Sequence, residues 1–409
     1  MRKNIFTVIG IAALMAGCQQ QPKSIDPLPA PRMVTSPAAE HSAEPNLHVA
    51  PDGRFLLSWI EQPEDGPAAL KFAFYGGEWS EVKTVATGDD WFVNWADFPA
   101  MAALSGGALA AHWLQKSAPE TFAYDIMLSF SQDGGETWSA PIRPHRDGTE
   151  SEHGFVSLLP YASDAVFLSW LDGRKYAAAK KGQGVEEMTL RGAIISQRGE
   201  YQWEAELDDR VCDCCQTNAV KVGDRIVVAY RDRSEQEIRD IGLVIIEDGT
   251  VSPPRIPLPD GWKIPGCPVN GPALAARGNT VALAWFTMAN DTARVQLAFS
   301  TDGGTTFGRR IRVDDGNALG RVDVVMISEH RAVVSWLEQS GESAEIRIRQ
   351  VDVDGTVSAS QTIATTSASR ASGFPRMAFN GETLFFAWTQ PGEASHIKTA
   401  QIPLRTATN

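Results

Sequence analysis

The chain has 409 residues, of which 43% are hydrophobic and 21% are charged, a composition typical of a globular protein. Its formal net charge is −13 at pH 7, which excludes nucleic acid as a partner because binding phosphates requires a basic face. An anionic small ligand stays compatible with this charge if arginines cluster on one face. No phosphate-binding loop, nucleophile elbow or paired-histidine zinc motif occurs, so those enzyme classes have no support.

The first residues predict export and a lipid anchor. A basic pair precedes an apolar run at 5–16 that is too short to span a bilayer, which is typical of a signal peptide. The residues before Cys18 resemble the lipobox of bacterial lipoproteins, so we predict removal of residues 1–17 and lipidation of Cys18. By the same resemblance, Gln19 favours the outer membrane of the cell envelope, facing the periplasm or the cell surface. Residues 18–43, rich in Pro, Ser, Ala and Gln, predict a flexible tether.

A short phrase recurs along the rest of the chain: an apolar, β-branched run that ends in an aromatic residue, with a polar residue within the next two positions. The aromatic positions are Trp59, Trp113, Trp170, Tyr230, Trp285, Trp336 and Trp388. They are separated by 54, 57, 60, 55, 51 and 52 residues. A period of about 50 residues with several short strands per repeat is typical of a β-propeller. We therefore predict an all-β, seven-bladed propeller over residues 44–405, with six blades as the alternative.

Each repeat divides into four strands, and the last repeat lacks one of them. In the second repeat the predicted strands are 98–104, 107–115, 122–131 and 139–143. The seventh repeat ends after its third strand, at 396–404, with little chain left to form an outer strand. Closing the ring therefore needs a strand from elsewhere, and the segment 31–35 is the available donor.

Two turns with one pattern join the third and outer strands of the second and fifth repeats. Residues 131–138 have the sequence SQDGGETW, and residues 300–307 have the sequence STDGGTTF. Both match the Asp-box S-x-D-x-G-x-T-[WF], so the chain resembles the sialidase-like (BNR/Asp-box) β-propeller superfamily. The aspartate accepts from turn amides, glycine supplies a positive φ, and the aromatic ring packs between strands. We therefore predict structural roles for Asp133, Gly135, Trp138, Asp302, Gly304 and Phe307.

The resemblance implies that the protein binds an acidic glycan and hydrolyses it as an exo-sialidase does. The expected site is the axial face, where the loops that enter the inner strands meet. In this family three arginines hold the substrate carboxylate, a Tyr–Glu pair serves as nucleophile and base, and an aspartate serves as acid. The candidate ligand-binding residues are Arg174, Arg191, Arg231, Arg239, Asp240 and Arg321. Tyr230 or Tyr124 is the candidate nucleophile, and Asp97 or Asp232 the candidate acid. The alternative is that Arg231–Asp232 and Arg239–Asp240 are ion pairs across one hairpin that hold a single blade.

Four further cysteines enter two neighbouring blades: Cys212, Cys214 and Cys215 precede the fourth, and Cys267 precedes the fifth. In an exported chain we expect disulfides, with Cys267 paired to one of the triplet. The alternatives are a copper or zinc site made by these cysteines with His153, or a redox disulfide. Besides the glycan enzyme, the sequence thus leaves open a periplasmic metal-binding protein and a non-enzymatic scaffold for another envelope protein.

Overall fold

The computed structural model describes residues 24–404, so the predicted signal peptide and Cys18 lie outside the described residues. Within that range, seven antiparallel sheets of three or four strands follow one another in chain order. The first strand of each sheet contacts the first strand of the next sheet, and the seventh sheet contacts the first. The sheets therefore form a closed ring, which confirms the all-β, seven-bladed propeller.

The strands of each blade run outward from the axis in chain order, except that β1 is the outer strand of blade 7. The first half of the chain contains β1 (Arg32–Val34), then β2 (Ser42–Val49), β3 (Phe55–Glu61), β4 (Ala68–Tyr75) and β5 (Lys83–Gly88) in blade 1, β6 (Ala100–Ala103), β7 (Leu109–Lys116) and β8 (Tyr124–Ser131) in blade 2, and β9 (His153–Ala162), β10 (Ala165–Asp172), β11 (Met188–Ser196) and β12 (Tyr201–Val211) in blade 3.

The second half contains β13 (Asn218–Val222), β14 (Arg225–Arg231), β15 (Ile241–Glu247) and β16 (Thr250–Val251) in blade 4, β17 (Ala273–Arg277), β18 (Thr280–Thr287), β19 (Arg294–Ser300) and β20 (Ile311–Arg312) in blade 5, β21 (Ala318–Ser328), β22 (Arg331–Ser340), β23 (Ser343–Asp352) and β24 (Gln361–Ser367) in blade 6, and β25 (Arg376–Phe379), β26 (Thr383–Gln390) and β27 (His396–Pro403) in blade 7. The helices of residues 24–404 are α1 (Arg174–Lys180) and three 3-10 turns, Ser105–Gly107, Ala289–Asp291 and Arg370–Ser372. In this part of the chain, no helix has the length and apolar character needed to cross a membrane.

The recurring aromatic residue lies on the second strand of every blade and is buried in the core between blades. The polar residue of the phrase follows because a buried indole N–H needs an acceptor. In three blades the acceptor is a carboxylate two residues further along the same strand, hence on the same face of the sheet. These pairs are Trp59 with Glu61 at 2.8 Å, Trp170 with Asp172 at 2.9 Å, and Trp336 with Glu338 at 2.6 Å.

The N-terminal segment closes the ring. Strand β1 pairs antiparallel with β27 and becomes the outer strand of blade 7, which confirms the predicted donor segment 31–35. The chain before β1 also lies on the propeller: Ile25 is 7% exposed, and Gln350 Nε2 donates to the carbonyl oxygen of Asp26 at 2.7 Å. The predicted tether at 18–43 is therefore shorter than expected, because its residues from Ile25 onward are held by the blades.

The Asp-box turns have the predicted structural geometry. Asp133 Oδ1 accepts a hydrogen bond from the Thr137 amide at 2.9 Å, and Asp133 Oδ2 accepts one from the Thr137 hydroxyl at 2.6 Å. In the second box Asp302 accepts the corresponding two bonds at 2.8 and 2.6 Å. Gly135 has a φ of +86°, and a Cβ there would lie 2.3 Å from Phe72 Cζ in the preceding blade. The predicted outer strand at 139–143 is shorter than expected: blade 2 has one bridge there, between Leu128 and Ile142.

Candidate active site

Three inner strands carry a bulge where they enter the axial face. Glu44, Phe155 and Arg321 have φ values of +58°, +54° and +54°, and each lies at a shift in the register of its sheet. A non-glycine residue with positive φ is costly, and bulges of this kind redirect side chains next to active sites. The axial ends of β2, β9 and β21 are therefore shaped to present particular side chains.

A cavity of about 120 Å³ lies where these inner strands converge. Its walls come from the first strands of all seven blades, represented by Asn46, Ala100, Phe155, Asn218, Ala273, Val322 and Arg376. Asp97 and Phe374 line it as well. The cavity is consequently the place where loops from distant parts of the sequence meet, as a propeller axis requires.

Beside the cavity, the Tyr124 hydroxyl links two carboxyl groups. Its oxygen lies 2.8 Å from Asp97 Oδ2 and 2.9 Å from Glu152 Oε1, and Asp97 Oδ1 accepts from the Phe155 amide at 2.7 Å. Tyr124 is fully buried and stacks on Phe92 with ring centroids 4.0 Å apart. A hydroxyl has one proton, so it donates to one carboxylate and accepts from the other group when that group is protonated.

Burial keeps protons on this group of acids. Burial raises the pKa of Asp97 to about 7, against the opposing hydrogen bonds from Tyr124 and Phe155. Burial, followed by the charge of Asp97, raises the pKa of Glu44 to about 8. Burial likewise raises the pKa of Glu152 to about 8; the Tyr124 hydroxyl opposes the shift and the charge of Asp97 adds to it. The arrangement can therefore exchange protons near neutral pH, as general acid–base chemistry requires.

An aromatic and cationic platform adjoins the acids. The guanidinium carbons of Arg321 and Arg370 lie 5.1 and 5.8 Å from the ring centroid of Trp95, which stacks on Phe374. Arg321 donates to the Ser372 hydroxyl and to backbone carbonyl oxygens, and neither arginine has a carboxylate partner among residues 24–404. Burial and the charge of Arg370 lower the pKa of Arg321 to about 10. Two cations without anions are thus held beside one indole ring.

Arg231 occupies a different position from the one predicted. Its guanidinium donates to the carbonyl oxygens of Asn270 at 2.8 Å, Arg239 at 2.5 Å and Phe286 at 2.8 Å, and the side chain is 1% exposed. Every guanidinium nitrogen therefore already has an acceptor, so Arg231 joins blades 4 and 5 instead of binding a ligand.

Two other predicted ligand-binding arginines are paired within blade 3. Arg174 forms a bidentate pair with Asp172 at 2.6 and 2.7 Å, and Arg191 Nη1 lies 3.0 Å from Glu206 Oε2. These contacts are ion pairs within blade 3. The two pairs of the alternative, Arg231–Asp232 and Arg239–Asp240, are not among the ion pairs of residues 24–404, where Arg239 pairs with Glu237.

Arg239 and Asp240 lie side by side but differ in function. The carboxylate of Asp240 accepts from the amides of Gly261 and Trp262 at 2.9 and 3.2 Å, so it fixes a loop. Arg239 Nη2 donates to Glu237 at 2.7 Å, whereas its Nε and Nη1 are buried without an acceptor in the described part of the chain. Arg239 therefore keeps unused donors.

The second predicted tyrosine lies apart from Asp97. Tyr230 is 1% exposed, and its hydroxyl donates to Asp208 within the core of blades 3 and 4. Burial and the charge of Asp208 raise the pKa of Asp232, beside this pair, to about 6. Of the two alternatives left by the sequence, the structure brings Tyr124 and Asp97 together and leaves Tyr230 and Asp232 in a separate group.

His153 belongs to a hydrogen-bonded cluster under the same face. Its Nδ1 lies 3.2 Å from the Ser151 carbonyl oxygen and its Nε2 lies 3.1 Å from Asp147 Oδ2. Both partners are acceptors, so both ring nitrogens donate and the imidazole is protonated. Burial lowers the pKa of His153, but the Asp147 hydrogen bond and nearby carboxylates raise it above its usual value. Among the described residues, the ring of His153 groups with His145 and the carboxylates of Asp125, Asp147 and Asp172, and not with the cysteine sulfurs, so the structure separates His153 from the predicted cysteine metal site.

The cysteines do meet, but as a disulfide and two thiols. Cys214 and Cys267 form a disulfide with a Cα–Cα distance of 6.0 Å, which confirms that Cys267 pairs with one of the triplet. Cys212 and Cys215 are free and buried, with sulfur atoms 3.0 Å apart. Two of the four expected thiolates are consequently taken by the disulfide, and the residues do not fit the predicted four-thiolate copper or zinc site in this state.

Sequence reasoning missed Glu152, Glu44, Trp95 and Arg370. One signal was available, because Glu152 directly precedes the strand β9 and therefore occupies a loop that enters an inner strand, as Asp97 does. Nothing in the sequence marks Arg370 and Trp95 as neighbours, since the contact joins the loops that enter blades 2 and 7, which are not adjacent in the ring.

No protein-family model matches the chain, and neither does a curated protein. Among solved structures it is similar to polysaccharide lyase Uly1, with a TM-score of 0.53 and 9% identity over 92% of this chain and 100% of that one. It is also similar to the Hadza microbial sialidase Hz136 (TM-score 0.48, 15% identity, 82% and 73% covered) and to the alpha-L-arabinofuranosidase arb93a from Fusarium graminearum (TM-score 0.48, 15% identity, 75% and 92% covered). At these identities the likeness shows the fold alone. The seven-bladed β-propeller fold, with Asp-boxes at the turns where the sequence places them, is the architecture that the sequence predicted.

Proposed function

We propose that this protein binds an acidic glycan at the axial face and hydrolyses a glycosidic bond there. The observation that carries the proposal is the Tyr124 hydroxyl, which lies 2.8 Å from Asp97 and 2.9 Å from Glu152. Sialidases with a tyrosine nucleophile are an exception to the two-carboxylate scheme of most retaining glycosidases, and here a tyrosine hydroxyl lies between the two acids.

The chemistry needs one proton shared by the pair of carboxyl groups. Tyr124 Oη attacks the anomeric carbon, and Glu152 accepts the proton of that hydroxyl. Asp97 gives its proton to the leaving-group oxygen and then takes one from the water that releases the sugar from the tyrosine. The resemblance to sialidase-like proteins assigns the base to the glutamate and the acid to the aspartate. Because the acids are coupled through one hydroxyl, the singly protonated pair is the active form.

The platform favours an acidic sugar over a neutral one. An indole face binds the apolar face of a sugar ring, and guanidinium groups bind carboxylates in bidentate fashion. Arg370 is exposed, and with Arg321 it offers positive charge that no carboxylate of residues 24–404 neutralises. Since the protein is acidic overall, this local charge supports an anionic ligand at one place.

The test compares turnover of fluorogenic glycosides of sialic acid, a hexuronic acid and a neutral hexose. We expect Tyr124→Phe to reduce kcat at least about 100-fold, the scale of general acid–base catalysis. Tyr230→Phe removes a buried hydroxyl outside this cavity and should retain turnover, which controls for the loss of a tyrosine hydroxyl. Arg370→Ala should raise KM for the acidic glycosides alone. Absence of turnover together with absence of binding to acidic oligosaccharides would refute the proposal.

We further propose that the enzyme works at the bacterial envelope through lipidation of Cys18. Fractionation tests this placement: the wild-type chain should sediment with outer membranes, and Cys18→Ala should release it into the soluble fraction. Sedimentation of both forms alike would contradict the anchor.

A further inference from the structure

Four sulfur atoms cluster where blades 4 and 5 enter the axial face, and those of Cys212, Cys214 and Cys215 all lie within 4.8 Å of one another. Cys215 Sγ lies 3.0 Å from Cys212 Sγ, which lies 3.9 Å from Cys214 Sγ, and Cys214 is bonded to Cys267. Cys212 and Cys215 have the C-x-x-C spacing of oxidoreductase dithiols. A disulfide that only ties two loops together does not need two thiols within reach of it.

The four cysteines of this cluster differ in exposure. Cys212 and Cys215 are 0% and 1% exposed, whereas Cys214 is half-buried and Cys267 is exposed. A reactant from solution therefore reaches the disulfide first, at Cys267, and reaches the buried dithiol only through Cys214.

Positive charge lies beside the buried thiols. Arg239 has two buried donor nitrogens without an acceptor in the described chain, and its charge and that of Arg231 act on Cys212. Burial raises the pKa of Cys212, but the Cys215 thiol, the Cys214 amide and these arginines lower it below its usual value. The charge of Arg239 thus favours the anionic form of Cys212, and a thiolate is the attacking species in disulfide exchange.

We propose that the four cysteines form a thiol–disulfide exchange centre, in which the disulfide moves from Cys214–Cys267 to Cys212–Cys215. In the first step the Cys212 thiolate bonds to Cys214 Sγ, and Cys267 leaves as a thiolate that takes a proton from water. In the second step Cys215 loses its proton and bonds to Cys212 Sγ, and Cys214 leaves and is protonated. One disulfide and two thiols exist before and after, so this transfer consumes no oxidant.

The exposed pair then exchanges electrons with an outside partner. The Cys267 thiolate attacks the disulfide of an external protein or peptide, and Cys214 resolves the mixed disulfide. Cys214–Cys267 forms again, and the partner leaves as two thiols. An external dithiol reduces the resulting second disulfide of the propeller and completes the cycle. This activity is independent of glycan hydrolysis, so either can fail without the other.

The experiment maps disulfides in the full chain after equilibration in glutathione and glutathione disulfide buffers. Free thiols are trapped with N-ethylmaleimide, and mass spectrometry of unreduced peptides separates these four cysteines from Cys18. We expect both the Cys214–Cys267 and the Cys212–Cys215 linkages in the wild type, in a ratio that changes with the glutathione ratio. In Cys215→Ser the disulfide transfer should stop after its first step, at a Cys212–Cys214 disulfide, and Cys267 should react with maleimide.

Cys212→Ser is the matched variant, because it removes the attacking sulfur and leaves the other three. Cys212→Ser should retain only the Cys214–Cys267 disulfide. The rate at which it reduces glutathione disulfide should be at least about tenfold below that of the wild type. Thermal melting checks that Cys212→Ser and Cys215→Ser fold. Because the two variants are expected to form different disulfides, Cys214–Cys267 and Cys212–Cys214, a general loss of structure would not reproduce the result. A wild type that shows Cys214–Cys267 alone at every glutathione ratio would overturn the proposal. Stoichiometric copper or zinc held by Cys212 and Cys215 would overturn it as well.

Discussion

Glu44→Gln tests whether the axial acids are held protonated by burial. Glu44 carries a buried carboxyl oxygen with no hydrogen-bond partner in the described residues, and burial with the charge of Asp97 raises its pKa from 4.5 to about 8. Folding therefore binds a proton, so the stability from this group is full below pH 4.5 and is lost as the pH rises through about 8. One pKa unit corresponds to 1.36 kcal/mol, which makes the shift worth at most about 5 kcal/mol.

The glutamine side chain would keep the shape of the glutamate and remove its charge. We expect Glu44→Gln and wild type to unfold alike near pH 5, and the variant to be more stable by about 2–5 kcal/mol near pH 9. Urea denaturation across this pH range measures the difference. Glu64→Gln, at an exposed position, is the matched control for the change in net charge. Equal pH dependence in the wild type and Glu44→Gln would refute the buried, protonated Glu44.

Three further predictions concern the scaffold. Gly135→Ala should destabilise more than Gly134→Ala by about 1–3 kcal/mol, since both positions have positive φ but only the Cβ at 135 meets Phe72; equal melting temperatures would contradict this. A chain that begins at residue 36 should melt well below one that begins at residue 24, because it lacks β1, and unchanged melting would rule out the latch. Arg231→Met should lower the free energy of unfolding in urea by about 3 kcal/mol or more, since it leaves buried carbonyl oxygens unpaired. Arg370→Ala, at an exposed position, should lower it little, and the reverse order would contradict the assigned roles.

The ring could be predicted because its signals are local in the sequence. A strand phrase of a few residues, an Asp-box of eight residues and a last repeat without an outer strand each depend on short-range chemistry. The last repeat has three predicted strands where the others have four, so the sequence predicts an outer strand from the N-terminal segment, and β1 is that strand. The tether was overestimated because its composition does not reveal that Ile25 finds an apolar site on the blades.

The site was less predictable, because it depends on which partners lie across blades. The arginine-rich hairpin suggested a ligand, but the acceptors of Arg231 are backbone carbonyls of distant loops, and a sequence does not show which carbonyls stay unpaired. Tyr124 could not be preferred over Tyr230 for the same reason, since both have the same side chain and only the fold supplies Asp97 and Glu152 to one of them. The cysteine run was interpreted as a triplet, which hid the C-x-x-C pair within it.

The two proposed centres are close enough to influence each other. Glu152 faces Tyr124, Asp97, Asp213 and Cys212, and the charge of Cys212 contributes to its raised pKa after burial and Asp97. A disulfide at Cys212 removes that charge, so the pKa of Glu152 should fall, and Glu152 would act as a base at lower pH. We therefore expect the acid limb of the pH–kcat profile to move to lower pH on oxidation with glutathione disulfide. Cys212→Ser, which carries no thiolate, should show the shifted profile without any oxidant. If the oxidised, reduced and Cys212→Ser proteins share one acid limb, the thiol does not act on Glu152, and the two centres function separately on the same face.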